Sequence, residues 1–376
     1  MRTFAVALLA STLAFAQSIS LPPPSGKYRI GRTLIHLTDD SRTDPVSEKE
    51  GAKREFMVIA WYPAEPDVRG EIRGQKSTWV PPTMVDSEAA LIVTALKGSE
   101  DALEPGPAKA LIEGVQVYSI EDALVAKGRW PVLLFAPDEA IFTTHYTSYM
   151  EDLASLGYMV FGLVPTAWTA KAAFPDGHEV AASSKRSNDP SWLDKVAAPL
   201  WAGDLRYTLD QLLHWDLELK HRFFKHIDAK KIAAFGHGLG GNVAVQLALE
   251  DKRVIAAADI DGTPLATVEN AALAKPLLVI QSPGTAKLEA LYRNGKPGYR
   301  MVLAKARHVT FTDYPIIGRL AFARREGIPE TSDGDRVIGF VRSYLREFFA
   351  LHLRGKDSRL LASSHQDENV DFATGP

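Results

Sequence analysis

The sequence predicts an α/β fold in which a mainly parallel central sheet is covered by helices on both faces. From residue 132 onward, short apolar runs of strand length alternate with stretches of helical spacing. These strands are apolar along their whole length, which is typical of parallel strands buried on both faces. No linker interrupts the alternation, so we expect 17–354 to form one domain.

Each predicted element follows from its own pattern. Residues 27–37 and 54–62 have the composition of two strands separated by a polar stretch, which indicates an antiparallel pair at the start of the sheet. The later strands are predicted at 132–136, 158–164, 231–235, 254–260, 277–281 and 299–303. The helices are predicted at 86–96, 144–156, 205–213, 242–249, 287–294 and 335–353, the last with an apolar face.

The N-terminus predicts export. Arg2 precedes an apolar run that ends in Ala14-Phe15-Ala16, the small-x-small pattern of a cleaved signal peptide. We therefore expect 1–16 to be removed and the mature protein to be secreted or periplasmic. No later apolar run is long enough to predict a transmembrane segment. The chain has no cysteine, which excludes disulfides and a lipid-modified cysteine.

Composition and punctuation set the rest of the organisation. Glycine, proline and charge break the alternation at about 64–129 and 165–199, so we expect insertions over the sheet there. The polar residues 355–376 are predicted to be a disordered tail. A formal net charge of −3 favours neither nucleic acid nor an anionic membrane surface as a partner. The sequence does not predict an oligomeric state.

A glycine cluster lies between a predicted strand and a predicted helix. Its sequence, Gly236-His237-Gly238-Leu239-Gly240-Gly241, fits the nucleophile elbow Gly-x-Ser-x-Gly of the α/β-hydrolase fold at every position except the centre. Gly238 stands where the serine belongs. One alternative is a glycine-rich turn with no further role. A phosphate-binding loop is less favoured, because no Lys-Ser/Thr pair follows and the cluster comes late in the chain.

Two residues follow the glycine cluster in the order of an α/β-hydrolase triad, in which the acid and then the histidine come after the nucleophile. Asp261 comes 23 residues after Gly238, at the end of a predicted strand. His308 comes a further 47 residues on, just past the strand at 299–303. We therefore predict Gly238, Asp261 and His308 as the degenerate nucleophile, the acid and the histidine.

Other side chains fit these roles less well. Asp259 is expected to point to the opposite face of its strand from Asp261, and His237 is expected to pack within the turn. Ser282 and Thr263 are hydroxyls at strand ends, but neither has the sequence context of an elbow.

A metal site is not predicted. Three histidines lie close together in the sequence, but their spacing does not place them on one helical face: His214, His221 and His226. No cofactor is predicted either, since no motif of the chain calls for one.

The chain resembles the platelet-activating-factor acetylhydrolase family of esterases. The similarity is carried by Gly26-Lys27-Tyr28, Trp61-Tyr62-Pro63, residues 151–158, the glycine cluster, Asp261-Gly262 and His308. It is weakest over 65–129 and 170–192. The resemblance implies an α/β-hydrolase fold, hydrolysis of short or oxidised acyl chains of phospholipids, and a small ester or lipid-like ligand.

Two departures from the family concern the chemistry itself. The family has serine at Gly238, and glycine has no hydroxyl that could attack an acyl carbon. The resemblance also implies that Leu239 and a glycine-rich loop after the strand at 132–136 form the oxyanion hole. In this chain the loop reads Pro137-Asp138-Glu139-Ala140, and its two carboxylates would oppose a developing oxyanion.

Two functions remain open from the sequence. The first is an exported protein that keeps the hydrolase fold, lacks serine-esterase activity and binds a small ester or lipid-like molecule. The alternative is an active carboxylic ester hydrolase in which Asp261 and His308 activate a water molecule held in the space left by Gly238.

Overall fold

The computed structural model describes residues 19–66, 73–96, 103–139, 141–168, 171–262, 264–269, 271–284, 291–317 and 331–375. The predicted signal peptide at 1–16 lies outside these ranges.

One large sheet forms the centre of the molecule. Among the described residues the strands are β1 (Ile19–Ser20), β2 (Arg29–Thr43), β3 (Lys53–Ala64), β4 (Val115–Gln116), β5 (Ile120–Glu121), β6 (Trp130–Ala136), β7 (Met159–Val164), β8 (Lys171–Ala173), β9 (Glu179–Ala181), β10 (Ile227–His237), β11 (Val254–Ile260), β12 (Leu277–Gln281), β13 (Gly298–Leu303), β14 (His365–Gln366) and β15 (Val370–Thr374). Eleven of them form the sheet in the order β14-β15-β13-β12-β11-β10-β6-β7-β3-β2-β5.

The inner strands of this sheet are parallel. From β7 through β6, β10, β11 and β12 to β13, each strand runs parallel to its neighbour. The predicted antiparallel pair at the start of the chain is present as β2 and β3, and β3 is also antiparallel to β7. The prediction of an α/β fold with a mainly parallel sheet is therefore confirmed.

Helices cover both faces of the sheet. The α-helices of the described residues are α1 (Val85–Leu96), α2 (Pro105–Gly114), α3 (Thr147–Ser155), α4 (Pro190–Trp192), α5 (Ala198–Trp215), α6 (Leu239–Glu250), α7 (Ala266–Glu269), α8 (Tyr314–Ile317) and α9 (Thr331–Arg354). Leu133 and Phe135 of β6 belong to the apolar core under α3 and α9, whereas Val132 and Leu134 belong to the core under α5 and α6. Successive side chains of one strand thus enter opposite cores, which is why the strands are apolar throughout.

The C-terminal segment differs from the disordered tail predicted for 355–376. β15 pairs antiparallel with β13 and carries the short strand β14 at the sheet edge. Val370 and Phe372 are buried against the core, while Asp371 between them is partly exposed. A two-residue apolar period in so short and polar a segment gives little sequence signal, but it suffices when an edge strand is available for pairing.

The remaining differences are local. The predicted helix at 287–294 is described only at its end, where Tyr292–Asn294 forms a 3-10 turn. The insertion at 64–129 contains α1 and α2 and supplies β5 to the sheet edge. The insertion at 165–199 contains the β8–β9 hairpin. Among the described residues, no helix is both long and apolar enough to cross a bilayer.

A buried ion cluster joins α5 to the first strand pair. Arg54 and Asp204 are both fully buried, and an Nη2 to Oδ2 distance of 2.7 Å links them. Asp44 contacts the same guanidinium at 2.9 Å, and Arg42 contacts the other oxygen of Asp204 at 2.8 Å. Charges that have left water are tolerated only when they are paired in this way.

Candidate active site

The glycine cluster forms a sharp turn between β10 and α6. Gly238 has φ 56° and ψ −123°, a conformation that side-chain-bearing residues rarely adopt. Its N–H donates to the carbonyl of Ile260 at the end of β11, 3.0 Å away. Gly240 permits a second close approach, because a Cβ there would lie 2.1 Å from the carbonyl oxygen of Ala136. The turn therefore brings together the carboxyl ends of β6, β10 and β11.

The structure places Asp261 and His308 in contact at this edge. Asp261 directly follows β11 and has φ 48°, and its Oδ2 lies 2.9 Å from Nδ1 of His308, in the loop after β13. The other carboxylate oxygen accepts hydrogen bonds from the N–H and the hydroxyl of Ser282, at 2.7 and 2.8 Å. The contact expected between Asp261 and His308 is thus present, and Ser282 orients the acid.

Asp138 occupies the place of the missing nucleophile. A Cβ added at Gly238 would lie 1.9 Å from Oδ1 of Asp138, so any side chain at 238 would overlap this carboxylate. The second oxygen, Oδ2, lies 3.3 Å from Nε2 of His308. Nε2 is the atom that faces the nucleophile in a Ser-His-Asp triad. His308 therefore lies between two carboxylates, Asp261 on one nitrogen and Asp138 on the other.

The same carboxylate fills the position of an oxyanion. The N–H of Leu239, which follows the elbow position, donates to Oδ1 of Asp138 at 3.0 Å. The N–H of Asp138 donates to the hydroxyl of Tyr146 at 3.2 Å. In an active esterase of this fold, two backbone N–H groups bind the tetrahedral intermediate. One belongs to the residue after the nucleophile, and the other comes from the loop that corresponds to the one after β6. Here the N–H groups of Leu239 and Asp138 both have partners within the protein.

The charges of this site reinforce one another. Burial disfavours the His308 imidazolium, but its hydrogen bonds and charge attraction to Asp138 and Asp261 prevail and raise the pKa of His308 to about 10. Burial likewise opposes the Asp138 carboxylate, yet the hydrogen bond to His308 and the N–H of Leu239 lower the pKa of Asp138 to about 2. At neutral pH His308 carries a proton on each nitrogen and cannot accept another.

His237 and Asp259, the alternatives considered for the histidine and the acid, are both buried beside the turn at Gly238. His237 is fully buried, and its Nδ1 lies 2.8 Å from the hydroxyl of Tyr146. Burial and the nearby charge of His308 lower the pKa of His237 to about 3. Asp259 accepts a hydrogen bond from the N–H of Gly262 at 2.8 Å, and burial raises the pKa of Asp259 to about 7. His237 is therefore neutral at pH 7, whereas Asp259 takes up a proton only as the pH falls to about 7 or below.

The surroundings of the remaining candidates differ. Glu139 is partly buried next to Asp138, and burial and the charge of Asp138 raise its pKa. His221 stacks on Trp215, and His226 contacts the carbonyl of Gly128, so neither is directed at a shared ion. Thr263 lies outside the described residues.

One group of potential metal ligands includes the site. Suitable atoms of His237, Asp261 and His308 lie within 4.8 Å of one another. The atoms of Asp261 and His308 that approach are hydrogen-bonded to each other. Metal-binding histidines must be deprotonated, whereas the raised pKa of His308 keeps its ring charged at neutral pH. The group is therefore better explained as a hydrogen-bonded network than as a metal centre.

The sequence indicated that Asp138 is an unexpected carboxylate in the loop of the oxyanion hole, but it did not predict the contact of Asp138 with His308. The sequence did contain a signal for this contact: glycine at 238 and a carboxylate at 138 occur together. A carboxylate can enter this space only when residue 238 has no side chain. Tyr146 was also missed. Its role depends on contacts to Asp138 and His237, which no sequence pattern indicates.

Comparisons with known proteins relate the chain to esterases. No known family model matches the chain. A protein of Arthroderma benhamiae described as a probable 1-alkyl-2-acetylglycerophosphocholine esterase is 26% identical over 390 residues, which is 96% of this chain and 95% of the relative. Among solved structures, a ferulic acid esterase from Streptomyces cinnamoneus has a TM-score of 0.72 and 26% identity, covering 93% of this chain and 97% of the other.

These likenesses extend over nearly the whole length of each protein. They relate the chain to esterase-type hydrolases and identify its mainly parallel sheet as the α/β-hydrolase fold.

Proposed function

We propose that this protein is an exported relative of the esterases that has lost hydrolysis by a serine nucleophile and keeps the fold to bind a small ester or lipid-like molecule. The observation that carries the proposal is the position of Asp138. Its carboxylate fills both the space of the nucleophile and the contact to Leu239 N–H. Export rests on the N-terminal pattern that begins with Arg2.

Three requirements of acyl transfer are unmet in this site. Gly238 offers no hydroxyl. The Leu239 N–H is bonded to a carboxylate, and losing one such donor lowers the rate by about 10²- to 10³-fold. The raised pKa of His308 removes the general base, which must be unprotonated to accept a proton.

The alternative, water activated by Asp261 and His308, fits the geometry less well. Such a water would occupy the space at Gly238 beside Nε2 of His308, and the carboxylate of Asp138 occupies that space. The ligand class is proposed from the relatives, one of which is described as an esterase of an acetylated glycerophosphocholine and one as a ferulic acid esterase.

The proposal predicts that the purified mature protein does not react with a fluorophosphonate probe. It also predicts that hydrolysis of a chromogenic acetate ester is no faster than with His308→Ala, because neither a serine hydroxyl nor an unprotonated base is available at the site. Probe labelling followed by mass spectrometry and initial rates would measure both. Turnover by the unmodified protein that His308→Ala abolishes would contradict the proposal.

A further inference from the structure

Asp138 is held as a nucleophile would be held. Oδ1 is fixed by the N–H of Leu239, while Oδ2 is directed at the imidazolium of His308. The Asp138 side chain retains 14% of its exposure and that of His308 47%, so the pair is reached from solvent. Asp261 fixes the far side of the ring at 2.9 Å. A carboxylate, a histidine, an orienting acid and a backbone donor thus converge on one point.

We propose that this carboxylate is the nucleophile of a second chemistry, the hydrolysis of epoxides through a covalent ester on Asp138. The inference goes beyond the proposed function, which denies only the serine route to ester hydrolysis. Carboxylates of Asp and Glu form covalent intermediates in several classes of enzyme. The loss of the serine and the gain of Asp138 then have one explanation, because the carboxylate needs the space that Gly238 leaves.

The hydrogen bond between the Leu239 N–H and Asp138 indicates which type of carbon Asp138 can attack. Attack on an ester carbonyl would create an oxyanion on the substrate, but the Leu239 N–H is bonded to Asp138 itself. The tetrahedral intermediate of that attack would also expel the carboxylate more readily than the alkoxide, so it would revert to the ester. Attack on a tetrahedral carbon creates no oxyanion at that carbon and leaves the contact of Oδ1 with Leu239 intact. The site is therefore suited to alkyl transfer.

An epoxide balances the protons of the first step. Oδ2 of Asp138 forms a bond to an epoxide carbon, and the C–O bond of the strained ring breaks. The oxygen leaves as an alkoxide that remains attached to the substrate and needs a proton. His308, whose pKa is raised, holds that proton beside Asp138. The products of the step are a hydroxyalkyl ester of Asp138 and a neutral imidazole.

The second step restores the site. Neutral His308 accepts a proton from water, and the hydroxide adds to the carboxyl carbon of the Asp138 ester. The negative charge then develops on Oδ1, where the Leu239 N–H already donates. Collapse of the intermediate releases a diol, with the proton of His308 passing to the leaving oxygen. Proton uptake and release through solvent return Asp138 to the carboxylate and His308 to the imidazolium, and the sum is epoxide plus water giving diol.

Single turnover in heavy-oxygen water tests the covalent route. Mature protein in excess is mixed with styrene oxide or 1,2-epoxyhexane, and the diol and the peptide containing Asp138 are analysed by mass spectrometry. We expect the first diol to carry the light oxygen of Asp138 and the peptide to acquire the heavy one. Incorporation of heavy oxygen directly into the first diol would overturn the covalent route.

Two variants separate the steps. His308→Gln lacks the proton donor of the first step and the base of the second, so it should form protein heavier by one epoxide molecule slowly and then retain that adduct unhydrolysed. Asp138→Asn should form no adduct and should lower diol formation by about 10³-fold or more. Asp176→Asn is the matched control, since it alters an exposed Asp–His contact in the insertion at 165–199 and should retain activity. Thermal melting would establish that each variant is folded.

The inference is wrong if neither epoxide yields an adduct with His308→Gln nor a diol faster than with Asp138→Asn. That outcome would leave the loss of ester hydrolysis standing, because it is measured with a different substrate and probe. Conversely, serine-type ester turnover by the unmodified protein would refute the proposed function without bearing on the epoxide labelling.

Discussion

The double variant Gly238→Ser/Asp138→Gly is expected to hydrolyse a chromogenic acetate ester at least about 10²-fold faster than the single variant Gly238→Ser. The single variant places a hydroxyl where Oδ1 of Asp138 lies, with only 1.9 Å between that oxygen and the Cβ position. It also leaves the Leu239 N–H bonded to a carboxylate. Removing that carboxylate frees the space and the N–H and leaves His308 with one carboxylate partner, so its pKa should fall.

The comparison needs initial rates and circular dichroism to establish folding. Gly238→Ser combined with Asp176→Gly is a suitable control, because it removes an exposed carboxylate elsewhere and should behave like the single variant. His308→Ala added to the double variant should abolish the gain. If Gly238→Ser alone recovers the full rate, Asp138 does not block the site.

The second large effect concerns stability. Asp204→Ala should lower the free energy of unfolding by about 3 to 5 kcal/mol, because it leaves the fully buried guanidinium of Arg54 with Asp44 as its remaining carboxylate. Urea denaturation of the intact protein and the variant would measure the loss.

Asp210→Ala is the matched control for that loss. Asp210 pairs with Arg253, but half of its side chain is exposed, so its removal should change the free energy of unfolding by less than about 1 kcal/mol. Equal losses for the two variants would contradict the assignment of the Arg54 cluster as a buried anchor of α5.

Much of the fold could be predicted from hydrophobic pattern alone. The inner strands are apolar at every position because Leu133 and Phe135 enter one core and Val132 and Leu134 the other. The edge strand at Val370–Thr374 could not be predicted, because its pairing with β13 depends on an open sheet edge and not on its own short sequence.

Part of the site could likewise be predicted from the sequence, and part could not. Asp261 and His308 were predictable, since chain order and strand ends determine where an acid and a histidine of this fold lie. The position of Asp138 was not. Its contacts join residues 101 and 170 positions apart in the sequence, and they depend on how closely the loop after β6 approaches the turn at Gly240.

The protonation of His308 tests the central claim most directly. NMR titration of the ten histidine rings, with His308 assigned by comparison with His308→Gln, gives its midpoint. Since both carboxylates stabilise the charged ring, the raised pKa means that the proton is retained up to about pH 10 and lost above it. We therefore expect an imidazolium at pH 7.5, and a midpoint at least about one unit lower in Asp138→Asn. A midpoint near the ordinary value of 6.5 that Asp138→Asn leaves unchanged would show that Asp138 does not hold the histidine, and would contradict the account.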